Sequence, residues 1–174
     1  MVTLWIVAGG HRRYSAMSDV FSKSKRSEVM SRISGRGNKA TEIEFLKLLR
    51  RHRVSGWRRH LQVALPAPMA GCRKNLKRRL QVKPDFVFRR LRIAVFIDGC
   101  FWHGCPIHGT KPSENAEFWR TKLVDNQERD RYVTKALRRQ KWTVLRFWEH
   151  QLRQGDRLMV RLRRSFARTA LSLP

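Results

Sequence analysis

The sequence predicts an α/β protein in which helices cover the faces of a mixed sheet, and three stretches carry that prediction. In "NKATEIEFLKLLRRHRV", Ile43, Phe45, Leu46, Leu48 and Leu49 recur at helical spacing, and Asn38 or Thr41 stands where a cap is wanted. "DFVF", "RRLR" and "IAVFID" read as strand, turn and strand: two apolar runs rich in β-formers around a short basic break. "WTVLRFW" (142–148) is a buried strand between a helical stretch, Asn115 to Gln140, and a basic amphipathic helix, Gly155 to Ala170.

The remaining segments follow from composition. "WRRHLQVAL" (57–65) has the pattern of a first strand, and the long helix is expected to break near Asp125. Residues 66–83 hold two prolines, a glycine and the run "RKNLKRRLQVK", which predicts an exposed basic insertion. Its Arg73, Lys74, Lys77, Arg78 and Arg79 are either a solvated loop face or a DNA contact, and Cys72 within it reads as a free thiol. Residues 18–37 form a polar, basic arm that ends in two glycines. Residues 1–17 read as a disordered extension, because Met17 and the polar stretch after it look like a natural start. That leaves 38–170 as a single domain, with no internal repeat.

Charge narrows the partners. Lys and Arg number 39 against 13 acids, a net charge of +26, which points to a polyanion and most simply to nucleic acid. A generally basic surface is the alternative. Three cysteines with histidines nearby suit a metal site in a reducing compartment better than a disulfide framework. No apolar run approaches the ~20 residues of a membrane span, so a cytoplasmic protein without membrane contact is expected.

The chemistry gathers around the hairpin. If its turn is centred on "RRLR", Asp85 at the start of one strand sits beside Asp98 at the end of the next. Two converging carboxylates either hold a cation, for which Mg²⁺ is suited, or pair with the abundant arginines. Glu42 and Glu44 lie on the first helix. Glu44 is accounted for by a T-x-x-E capping box with Thr41, which leaves Glu42 free to reach the hairpin's end. Just after Asp98, Cys100-x4-Cys105-x2-His108 offers three corners of a tetrahedral zinc site, and His150, after the last strand, is the best candidate for the fourth. Buried cysteines and surface histidines are the plain alternative. His103 is a further ligand or a general base. Phe101 and Trp102 are either core or wedges into a base stack.

"PDFVF…AVFIDGCFWHGCPIHG…EFWRTKLVDNQERD…WTVLRFWEH" strongly resembles the very-short-patch-repair (Vsr) DNA mismatch endonucleases, over roughly residues 18–153. The resemblance implies a restriction-endonuclease-like fold of the PD-(D/E)xK type, with a mixed sheet flanked by helices and a structural zinc site. It implies a Mg²⁺-dependent cut of one strand beside the T of a T·G mismatch in double-stranded DNA, with mismatch-repair proteins as further partners and a monomeric enzyme. The family's catalytic aspartate falls on Asp85, its first-helix glutamate on Glu42, its catalytic histidine on His103 and its metal-binding carbonyl on Ile97. The zinc ligands fall on Cys100, Cys105, His108 and His150, and the intercalating aromatics on Phe101, Trp102 and Trp119. This chain departs from the family at Asp98, where a histidine is common, at His150, where a cysteine is common, and in its longer stretch 67–83. A related nuclease with another target, or a zinc-containing protein that only binds DNA, are the two rival expectations.

Overall fold

The computed structural model describes residues 39–66, 81–109 and 115–171. The extension, the basic arm and residues 67–80 of the basic insertion, with Cys72, Arg73, Lys74, Lys77, Arg78 and Arg79, lie outside the described residues; the insertion's end, Gln81–Val82, forms a short strand.

Helix α1 (Lys39–Arg51) is followed by two short strands, β1 (Arg58–Arg59) and β2 (Val63–Ala64). Strands β3 (Gln81–Val82), β4 (Phe86–Phe88) and β5 (Ile93–Asp98) come next. Helix α2 (Ala116–Arg139), strand β6 (Thr143–Trp148), a 3-10 helix (Glu149–Gln154) and helix α3 (Gly155–Ala170) complete the order. The main sheet runs β1-β4-β5-β6, antiparallel except for the parallel pair β5 and β6, so it is mixed. β2 and β3 form a separate antiparallel pair.

Alternation along the central strands builds two cores. Ile93, Val95 and Ile97 of β5, with Leu145 and Phe147 of β6, face α1 and α3 through Phe45, Leu49, Leu158, Met159 and Leu162. Ala94 and Val144 face the other way, onto Val133, Ala136 and Leu137 of α2. A strand covered on both sides is apolar at nearly every position, which is why "IAVFID" shows no polar alternation. Gly155 joins the 3-10 helix to α3 directly against Leu48 of α1, and a Cβ there would run into the Leu48 side chain.

Three expectations change. The strand foreseen at 57–65 is two short strands separated by His60, which adopts φ 51° and turns the chain. Helix α2 is continuous through Asp125. Thr41 is buried inside the first turn of α1, so it is not the residue that precedes the helix, and Glu44 pairs with Lys47 instead.

Candidate active site and metal centre

Two carboxylates meet at the end of the hairpin. The register pairs Phe86 with Val95, which sets Asp85 opposite Phe96, one residue before Ile97. β5 runs on past the end of β4, and the Ile97 N–H is taken up by Asp85 Oδ2 at 2.6 Å. Glu42, on the first turns of α1, is buried beside it. Its Oε2 accepts from Arg59 Nη2 at 2.5 Å and from His60 Nε2 at 2.7 Å. Ligand atoms of Glu42, His60 and Asp85 all lie within 4.8 Å of one another. Burial pushes the Asp85 carboxyl up to about 6, the Ile97 N–H opposes that, Glu42 and Asp98 add to it, and His60 reduces it. A buried acid held up in this way is what an added cation would relieve.

Asp98 has the arginine partner that its second reading called for. Both of its oxygens are occupied by Arg146, Nε to Oδ2 at 2.7 Å and Nη2 to Oδ1 at 2.6 Å. The fork uses one lone pair on each oxygen and leaves one on each, and ligand atoms of Asp98, His103 and Asp130 lie within 4.8 Å of one another. Arg146 also reaches Asp130 at 3.1 Å. Burial alone would lower the Arg146 pKa, but the bonds and charges of Asp98 and Asp130 raise it.

His103 sits beside this cluster. Its Nδ1–H donates to Asp130 Oδ2 in a short bond, and Asp98 Oδ1 is 3.7 Å away. Burial works against the charged Asp130, but the His103 bond and the charges of Arg146, His103 and Arg129 outweigh it and hold that carboxyl below its ordinary value. The loop carrying His103 is tied to α2 by Asn126 Nδ2, which donates to the Trp102 carbonyl at 2.9 Å. Gly104 has φ +64° and lies so close to Gln127 that a side chain would collide with it.

The second cluster is the predicted Cys/His set. Ligand atoms of Cys100, Cys105, His108 and His150 lie within 4.8 Å of one another. Cys100 Sγ is 3.2 Å and Cys105 Sγ 3.6 Å from His150 Nδ1. Ordinary Zn–S and Zn–N bonds in a tetrahedral site would place such atoms about 3.6 Å apart. The His108 N–H points at Cys105 Sγ at 3.5 Å. Burial pushes the Cys100 thiol up; His150 opposes this, while Cys105 and Glu149 reinforce it. Two sulfurs and two imidazoles at this spacing are the donor set of a closed zinc site.

The aromatic residues form a third group. Trp119 is buried, and the rings of Phe101, Trp102 and Phe118 stand 5.3, 6.0 and 5.3 Å from it. Phe101 and Trp102 are half-buried, whereas Phe118 is 61% exposed and is the ring most open to an incoming partner.

Sequence reasoning missed His60, Arg59, Asp130, Arg146 and Phe118. Asp130 and Phe118 lie inside the stretch "EFWRTKLVDNQERD", and Arg146 inside "WTVLRFW". His60 carried no signal, because a left-handed histidine next to a strand is not legible from residue type.

Comparison with known proteins gives consistent relatives. The family profile described as DNA mismatch endonuclease Vsr matches residues 18–108. The chain is 34% identical over 149 residues to the type II nicking enzyme V.NmeAIP of Neisseria meningitidis serogroup A, covering 85% of this chain and 94% of the relative. It is 54% identical over 72 residues to the type II nicking enzyme V.NaeI of Lentzea aerocolonigenes, covering 41% and 43%. It is 40% identical over 77 residues to the DNA mismatch endonuclease Vsr of Escherichia coli, covering 44% and 49%. In the last two cases the chain spans half of the relative's length or less.

Proposed function

This chain belongs to the DNA mismatch endonuclease Vsr family, and from that premise we propose that it nicks one strand of double-stranded DNA beside the T of a T·G mismatch. The observation that carries the nuclease reading is the pair Glu42 and Asp85. Asp85, its carboxyl raised to about 6 beside Glu42, costs stability that a protein which merely binds DNA has no need to carry. A cation held there against a phosphate would relieve that cost. The nicking activity named for two of the relatives supports a single-strand cut.

In this reading Asp85, the Ile97 carbonyl and, through water or directly, Glu42 would hold Mg²⁺. Bound there, the ion supplies positive charge against the scissile phosphate and its leaving oxygen. His60 and Arg59 fix the Glu42 carboxylate by their bonds to Oε2. Because His103 Nδ1 keeps its proton in the bond to Asp130, the lone pair is left on Nε2, which takes the proton of the attacking water. Asp130 keeps the ring in that tautomer and stabilises it once protonated. Arg146 holds Asp98 and Asp130 together, and Asp98, 3.7 Å from His103, positions the base.

Cys100, Cys105, His108 and His150 would hold a structural Zn²⁺ that fixes the loop from Gly99 to Gly109. That loop carries Phe101, Trp102 and His103, so the zinc would set both the aromatic wedge and the base. A mismatched pair is cheaper to unstack than a matched one, and Phe101, Trp102 and exposed Phe118 over Trp119 are placed to exploit that difference. Mismatch-repair proteins remain the partners this reading implies. Among the described residues no helix is long and apolar enough to cross a membrane.

The test is nicking of a T·G duplex with Mg²⁺ by the parental chain, Asp85→Ala and His103→Ala. The parental chain should nick, and both variants should bind the duplex without cutting it. Cutting by Asp85→Ala at the parental rate sinks the assignment.

A further inference from the structure

We infer that the trough between the C-terminal half of α2 and strand β6 is a second contact surface for the phosphate backbone of the DNA substrate, continuous with the site at His103. The inference rests on the nuclease reading above and adds to it a path for the strand.

Among the described residues β6 is the outermost strand of the sheet, and the trough lies along that edge. Its lining includes the cations Arg131, Lys135, Arg138, Arg139 and Arg146 against a single acid, Asp130. That acid is already answered by His103, Arg129 and Arg146. Arg131, Lys135, Arg138 and Arg139 are exposed and make no ion pair among the described residues. Such a row is unlike a solvated helix face, where opposite charges alternate at i,i+4 spacing.

A second observation points to a ligand. Two lining residues carry a buried polar atom without a hydrogen-bond partner, Thr134 Oγ1 and Arg146 Nη1. Leaving a buried polar group unpaired costs about 1–3 kcal/mol, so two in one trough call for a partner that accepts hydrogen bonds. Both atoms are donors, and a phosphate oxygen accepts from a hydroxyl and a guanidinium alike.

The shape favours a linear polyanion over a compact one. Asp130 to Arg139 is about 13 Å of helix, long enough to lie along more than one phosphate of a strand. Arg139 also lines the adjoining hollow with Arg92 and Lys141, so the basic track continues beyond the helix end. At its other end the track starts on Asp130, the residue that holds the proposed base. An acidic protein segment would match the charge, but it has no reason to begin at the catalytic histidine. The substrate strand does.

The test compares the full chain with a triple variant, Lys135→Ala, Arg138→Ala and Arg139→Ala, in fluorescence-anisotropy titrations of a duplex from 50 to 300 mM NaCl. Each phosphate no longer neutralised should reduce the slope of log K against log salt by about 0.9, so a reduction of roughly two to three is expected. A control with Arg50→Ala, Arg51→Ala and Arg164→Ala removes the same charge from the helices of the opposite sheet face, and its slope should fall by less than about 0.9. A triple variant with the parental slope, or a control that falls equally, overturns the inference. A parental chain that binds duplex without nicking it overturns the nuclease reading and still lets the slopes decide the trough. A parental chain that binds no duplex overturns both.

Discussion

Asp85→Asn should stabilise the metal-free protein while abolishing its activity. The carboxyl accepts the Ile97 N–H at 2.6 Å, and an asparagine oxygen can keep that bond. What the substitution removes is the ionisation. Burial and the neighbouring acids carry the Asp85 pKa from 3.8 to about 6. An acid whose pKa is raised on folding contributes stability that is complete below the unfolded value and lost as pH rises through the folded one. Between pH 4 and pH 7 the parental chain therefore loses roughly 3 kcal/mol at most from this group, since each pKa unit is ~1.4 kcal/mol. Urea unfolding in EDTA measures it. At pH 8 Asp85→Asn should be more stable than the parental chain by about 2–3 kcal/mol, and the gap should close toward pH 4. A variant no more stable at pH 8, or a gap that ignores pH, would refute the claim that Asp85 is held ionised at a cost.

Elemental analysis of active protein should find one zinc per chain, and Cys105→Ala or His150→Ala should lose it together with thermal stability, since structural zinc contributes on the order of 10 kcal/mol in small domains. Arg146→Gln should cost about 3–5 kcal/mol in thermal or urea unfolding, because it leaves buried Asp98 without its counter-charge. Trp102→Ala should reduce the ratio of T·G to matched duplex binding more than it reduces binding to matched duplex, read by competition titration. Equal losses on both duplexes would remove the wedge role of Trp102.

The parts of the fold carried by local pattern were legible. The stripe on α1 and the apolar runs of β5 and β6 belong to elements whose burial depends on their own residues. The split at His60 was not legible, because its left-handed backbone and its reach to Glu42 are set by tertiary contacts. Nor was the continuity of α2. Asp125 and Asn126 are weak helix formers, yet the Asn126 bond to the Trp102 carbonyl is tertiary and outweighs propensity. In the site, the cysteines and His108 were readable from spacing. The Asp98–Arg146 fork joins residues 48 apart, and only the parallel register, which sets Arg146 opposite Phe96 two places before Asp98, brings them together. Spacing alone therefore left both a metal ligand and an arginine partner open for Asp98.

End-labelled duplexes that differ only in one T·G pair, incubated with the parental chain in Mg²⁺ and in EDTA, decide whether this chain nicks at mismatches. A single nick beside the T, in one strand only, faster than on the matched duplex and absent in EDTA, is the expected result. Cleavage that persists in EDTA, or cuts in both strands, would contradict it.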